Sequence, residues 1–332
     1  MKKLKLLASV LAITLSTSAM ALEKKKICTW DPVGKTGPVI TFYSDLKAKA
    51  MSWGLDIELI PYTDEKVAAN DFKAGVCQAA HLTAILGRSF VPFAGSLDAM
   101  GGIISDAGLG QVIASLASPK AAPLMQNGPY EAVAAWPVGS MFAFVKDKSI
   151  NNVAAFSGKK IAVLNEDAQT MKVAELVGGS PVGVSLATFS GQFNNGNIDI
   201  LFMPALSYNT FELYHGLGEK GGIIQHRMYY GMLQTITKKD QWPADFGEKM
   251  RTYMVGRLKD INKLVADAEA EIPSKYWIKL DEPTKQDMDK FTRDVRLALR
   301  KDEKMDSKAM KMLWSIRCKE FPSASECTTP EQ

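Results

Sequence analysis

Residues 27–83 read ICTWDPVGKTGPVITFYSDLKAKAMSWGLDIELIPYTDEKVAANDFKAGVCQAAHLT. Three apolar runs, at 27–30, 56–62 (DIELIPY) and 77–82, have the length and patterning of strands. Between them, 36–53 places Ile40, Tyr43, Leu46 and Ala50 on one side at helical spacing. Residues 64–73 form a shorter helix opening on Asp64, a residue suited to cap it. The order strand, helix, strand, helix, strand predicts parallel pairing with helices laid over the sheet.

Working outward, the pattern recurs. Residues 160–164 (KIAVL), 182–184 and 198–203 (IDILFM) are strand candidates, separated by helical stretches at 169–177 and 188–193, with a helix at 207–214 after them. Between the two units, 132–135 and 141–145 are strands on either side of a break at Pro137, and 222–237 is β-rich and broken near Gly231. The chain ends in amphipathic helices at 244–272, 283–300 and 307–317. This predicts an α/β chain of two lobes, each with its own sheet. Lobe I covers 22–135 and lobe II 136–235. Hinge crossings fall near 131–145 and 222–237, and a helical segment, 236–332, packs on both lobes. A cleft between lobes is a natural ligand site.

The first 21 residues carry Lys2, Lys3 and Lys5, an apolar stretch at 6–15, and Ala19-Met20-Ala21. That order is the pattern of a secretory signal peptide cleaved near Ala21, and it places the mature chain in the periplasm. The apolar stretch is shorter than the roughly 20 residues a bilayer span needs. The chain has 40 Lys+Arg and 36 Asp+Glu; without the three leader lysines, 37 basic residues face 36 acidic ones. So balanced a surface excludes the basic face that nucleic acid selects. The four cysteines, Cys28, Cys77, Cys318 and Cys327, suit disulfides in an oxidising compartment. The sequence proximity of Cys318 and Cys327 pairs them and leaves Cys28 with Cys77, free buried thiols being the alternative.

The motifs that suggest chemistry fail on context. Gly34-Lys35-Thr36 ends like a P-loop, but position 29, where its first glycine belongs, is Thr29. Residues 216–221 match G-x-G-x-x-G but follow a helix and precede a strand, the reverse of a dinucleotide site. Gly183-Val184-Ser185-Leu186-Ala187 lacks the last glycine of a nucleophile elbow, which leaves a hydrolase built on Ser185 as a minor reading. His81, His215 and His226 have no metal-ligand spacing, so no metal and no cofactor is expected. In parallel α/β sheets, ligands sit beyond the C-terminal ends of the strands, against helix N-termini. The residues there are Trp30 and Asp31 after the first strand, His81 and Thr83 at the third, Asn165, Glu166 and Asp167 after KIAVL, and Pro204, Tyr208 and Asn209 after IDILFM. Each has a structural alternative: Trp30 as core filler, Asp167 as a helix cap, Pro204 as a helix start.

These residues, with FKAGVCQAAHLT at 72–83 and FSGKKIAVLNEDAQTMKVAELVGGSPVGVSLATFSGQFNNGNIDILFMPALSY at 156–208, resemble the DctP-type periplasmic substrate-binding proteins of TRAP transporters. Gly158, Lys160, Ile161, Val163, Pro181, Val182 and Asp199 occupy positions matching the family's pattern. The resemblance implies a two-lobed periplasmic binding protein fold, type II-like. It also implies hinge closure on a small molecule without chemistry, and docking of a monomer on membrane transporter subunits. In the family, an arginine within the KIAVL-type strand forms a paired contact with a substrate carboxylate; here that position is Ala162. Arg88, from elsewhere in the sequence, is the candidate to replace it. With Ala162 in place, an aromatic and acidic lining of Trp30, Asp31, Glu166, Asp167 and Tyr208 suits an amine or neutral polar ligand, with a carboxylate as the family alternative. The rival reading is a soluble accessory or adaptor of an efflux system.

Overall fold

The computed structural model describes residues 22–328; the leader and its cleavage point lie outside the described residues. The opening unit forms β1 (Glu23–Trp30), α1 (Pro38–Met51), β2 (Leu55–Tyr62), α2 (Glu65–Ala74) and β3 (Ala79–Thr83). Its strands pair in parallel in the order β2-β1-β3. Pro38 at the first turn suits the start of α1, because its missing N–H has no intrahelical partner to lose. That helix buries Val39, Tyr43, Leu46 and Ala50 against the sheet. The carboxylate of Asp64 caps α2 by accepting from Lys66 and Val67, and Gly75 ends the helix in the left-handed conformation. Cys28 in β1 is bonded to Cys77 just before β3.

After α3 (Ala84–Gly87), α4 (Pro92–Gly95), α5 (Asp106–Leu116) and the short β4 (Gln126–Asn127), the chain enters β5 (Tyr130–Val145). A second unit follows: β6 (Lys160–Leu164), α6 (Ala168–Val177), β7 (Ser180–Val184), α7 (Phe189–Asn194) and β8 (Ile200–Pro204), with β6 parallel to both β7 and β8. The helix expected at 207–214 is two, α8 (Ser207–Thr210) and α9 (Leu213–Leu217), because Glu212 takes φ 52° between them. Then come β9 (Gly222–Ile224) and β10 (Tyr229–Lys238).

One hydrogen-bonded sheet runs through both units, in the order β2-β1-β3-β10-β5-β8-β6-β7. The long antiparallel ribbon of β5 and β10 joins the halves, pairing from Tyr229–Met141 to Lys238–Tyr130. The sequence pattern breaks β5 at Pro137, yet the strand passes through it. The pairing shifts register there: Gly231 faces Gly139 and Met232 faces Pro137, so Val138 is an extra residue. Such a bulge is where a strand tolerates proline, since no ladder N–H is required, and Gly139 takes φ 110° to make the turn.

The C-terminal helices cover both halves. In α10 (Phe246–Glu271), Phe246, Met250, Met254 and Ile261 pack in one core with Trp136 and Leu233, while Ile272 just beyond it joins Phe142 and Phe144 in another. The two-residue β11 (Trp277–Ile278) pairs with β9. On the opposite face, α11 (Glu282–Lys301) and α12 (Ser307–Glu320) bury Val295, Leu299, Met310 and Leu313 in a core shared with Phe72 and Phe90 of the first unit and Phe156 and Phe202 of the second. Each such side chain contributes roughly 1.5–3 kcal/mol when fully buried. Finally α13 (Ser325–Thr328), tied back by the Cys318–Cys327 disulfide, sets Glu326 between two buried arginines. Its carboxylate meets Arg317 at 2.5 and 2.6 Å and Arg296 at 2.6 Å. The same arginines donate to the carbonyls of Met100 and Gly102.

Candidate functional site

Where the strand ends of the two halves face each other, the structure holds a cavity of about 140 Å³. Trp30 at the end of β1, Thr83 at the end of β3, Leu164 at the end of β6 and Pro204 at the end of β8 all line it. The β5–β10 ribbon supplies Trp136, Met141 and Tyr229, and Leu186, Met203 and Phe211 close the second-unit side. Strand-end reasoning finds Trp30, Thr83 and Pro204 in advance. It misses Trp136 and Tyr229, although both lie in segments the sequence marks as hinge; a hinge strand crossing a cleft must show one face to it.

The remaining candidates are held by the protein itself. Asp31 is completely buried, and its carboxylate accepts from the N–H groups of Val33, Val39 and Ile40 at 2.8–3.0 Å. It therefore occupies the N-terminus of α1. A Cβ on residue 37 would stand 1.7 Å from Asp31 Oδ1, which is why that position is Gly37. The loop that resembles a phosphate cradle is thus filled by its own anion. Asp167 does the same for α6, accepting from Gln169 N and Thr170 Oγ1, and Asp64 for α2.

His81 is buried and accepts the indole N–H of Trp136 at Nε2, 3.1 Å away, so its own proton sits on Nδ1 toward Thr235 Oγ1. Burial drives its pKa down to about 3, which keeps it neutral. His81 thereby orients Trp136, whose ring also stacks on Phe42 at 4.4 Å, and does not itself line the cavity. Arg88 does not face the cavity as a free cation either. It pairs with Asp98 at 2.8 Å and donates to Gly95 O. Asp98 is the one ionisable acid in the lining. Burial raises its pKa to about 6 against the lowering pull of Arg88. Tyr208 packs with Tyr214 and Tyr276, and Asn209 donates to Glu271 at 2.7 Å.

Asn165 and Glu166 line a separate crevice of about 100 Å³ at the cleft edge, together with Asp64, Glu65 and Lys66. There Lys66 of the first unit and Glu166 of the second form an exposed ion pair at 3.4 Å. Glu65 is buried and accepts the backbone N–H of Thr83. Burial, outweighing that bond, raises its pKa to about 7. Ala162 is buried in the core beneath the cavity with Phe142, Val184 and Met203. By strand alternation it shares a face of β6 with Leu164, which lines the cavity.

The cavity has apolar and aromatic walls, and its one carboxylate, Asp98, is paired with Arg88. The Ser185 hydroxyl is hydrogen-bonded to Thr188 Oγ1. Residues 25–332 match the family described as Solute-binding protein AdeT 1/2. The chain belongs to that family. It is 38% identical to the probable solute-binding protein AdeT1 of Acinetobacter baumannii over 303 residues, covering 91% of this chain and 100% of that one. The family is one of solute-binding proteins, not enzymes, so the hydrolase reading falls. The fold is that of TRAP periplasmic solute-binding proteins. The protein from Desulfovibrio salexigens, solved with bound orotic acid, superposes with a TM-score of 0.71 at 12% identity, over 89% of this chain and 99% of that chain. A marine metagenome TRAP protein specific for aromatic acid ligands, solved with 3-hydroxybenzoate, gives 0.65 at 16% identity, over 90% and 99%. Both neighbours are TRAP solute-binding proteins solved with a small molecule bound.

Proposed function

We propose that this protein captures a neutral, largely apolar solute of about one ring in the cavity between its lobes and delivers it in the periplasm to membrane subunits of TRAP type. The observation that carries this reading is the disposal of charge around the cavity. The N-termini of α1, α2 and α6 are each filled by the chain's own aspartate, Arg88 is spent on Asp98, and Ala162 stands where the DctP family places its carboxylate-binding arginine. A carboxylate entering this cavity would exchange water for largely apolar walls without meeting a cation free to pair with it, a cost of several kcal/mol. The amine alternative loses its support for the same reason, because Asp31 and Asp167 are already bonded and Glu166 lies out at the edge. Size follows from volume: an apolar cavity of about 150 Å³ holds a benzene molecule, and this one is about 140 Å³.

Lobes 22–135 and 136–235 close on the solute by bending at the bulge in the β5–β10 ribbon, a shift of population toward the state with more contacts. The test is calorimetry with benzamide, benzylamine and benzoate, which share a ring and differ in charge. Benzamide is expected to bind at least tenfold more tightly than either ion; benzoate binding as tightly as benzamide would overturn the reading.

A further inference from the structure

Four of the six tryptophans show two treatments of the indole N–H. Trp136 donates its indole N–H to His81 Nε2, Trp242 to Gln78 O at 3.0 Å, and Trp314 to Glu326 O at 3.0 Å. Trp30 is as deeply buried, at 7% exposure, yet among the described residues no acceptor reaches its Nε1. Its ring is a wall of the cavity. A buried donor left unsatisfied costs about 1–3 kcal/mol, and native proteins keep few of them.

Nor is Trp30 loosely placed. Its backbone pairs with Tyr62 in the parallel ladder, and the next residue, Asp31, is anchored by three backbone N–H groups at the start of α1. The donor is therefore fixed before any solute arrives. An indole N–H can only donate, whereas the hydroxyls of Thr83, Ser207 and Tyr229 elsewhere in the lining can turn to donate or accept. Trp30 alone of these imposes a requirement on the guest.

We infer that the Trp30 indole N–H is a specificity-determining contact, and that the solute carries a hydrogen-bond acceptor, a carbonyl, ether or hydroxyl oxygen or a ring nitrogen, on an apolar body of about one ring. This rests on the neutral-solute reading above and adds to it the polarity of one atom of the ligand. A site built around a buried donor discriminates against a guest of the same shape that lacks the acceptor, because that guest leaves the donor unpaired.

Two probes of matched shape test this: acetophenone, which has a carbonyl oxygen, and α-methylstyrene, which has a methylene group in its place. Calorimetry on the full mature chain is expected to show acetophenone binding about tenfold more tightly. In Trp30→Phe, which keeps an aromatic wall, that preference is expected to fall to near parity, whatever both affinities lose to the smaller ring. In ¹⁵N-labelled wild-type protein, one indole N–H resonance, absent from the Trp30→Phe spectrum, is expected to move on adding acetophenone and to stay in place with α-methylstyrene. Equal binding of both probes to the wild type, or a preference that survives in Trp30→Phe, overturns the inference and leaves the neutral-solute reading intact. Binding of neither probe to the wild type overturns the neutral-solute reading itself.

Discussion

Two places in this molecule show opposite treatments of a carboxylate. At the C-terminal corner, Arg296 and Arg317, 1% and 4% exposed, grip Glu326 through three charge-assisted bonds. At the cavity, where a solute would sit, the position that the DctP resemblance gives to an arginine is Ala162, buried beneath the wall, and the nearby Arg88 is occupied by Asp98. The chain thus has the chemistry to bind a carboxylate and uses it on its own tail. The lesson is that arginine content says nothing about ligand charge until each guanidinium has been matched with what it already holds.

Titration makes the same contrast. Burial pushes Glu326 up, but the bonds and charges of Arg317 and Arg296 more than offset it, and its pKa is lowered. Glu65, buried beside the cleft with no cation against it, is raised to about 7. Glu326 therefore adds stability at neutral pH that is lost as pH falls through its folded pKa. Glu65 favours the folded state at low pH, where both folded and unfolded forms are protonated, and stability declines as pH climbs from about 4.5 toward 7.

The sharpest way to break the contrast is Glu326→Ala. It leaves two buried guanidinium groups facing each other and should cost about 3–5 kcal/mol in urea unfolding. A loss below about 1 kcal/mol would mean that water reaches the corner and the clamp is dispensable. Next, Ala162→Arg moves the arginine into the cavity. Overpacking and an unpaired charge should cost about 3 kcal/mol, and millimolar benzoate should recover part of the lost thermal stability while doing nothing for the wild type. Smaller is Glu65→Gln, which keeps the oxygen that accepts from Thr83 and removes the charge. It should raise stability at pH 8 by about 2 kcal/mol and flatten the decline between pH 5 and 7; an unchanged slope would assign that decline elsewhere. Smallest is Lys66→Ala. An exposed pair such as Lys66–Glu166 contributes about 0.5 kcal/mol or less, so this change should leave both stability and acetophenone affinity within error.

The order of strands and helices was legible in the sequence because the apolar periods at 27–62 and 160–203 are clean, and the cysteine pairs followed from compartment and proximity. The cavity was half legible. Strand ends pointed to Trp30, Thr83 and Pro204, which line it. Asp31 and Asp167 turn away because a polar side chain at a strand end has two outlets, the ligand and the adjoining helix terminus, and only geometry shows which it takes; Arg88, just beyond α3, is taken by Asp98. Trp136 and Tyr229 went unseen for another reason: Pro137 reads as a strand break, which hides the continuity that carries both rings to the cleft.

That continuity has a consequence for how the protein can be taken apart. Cutting the chain between its lobes would divide a ribbon that both require, leaving each fragment with raw edges in place of an interior. Neither lobe is a unit that could be expressed, transplanted or recombined by itself. Any scheme for rebuilding the binding specificity has to work within the whole chain.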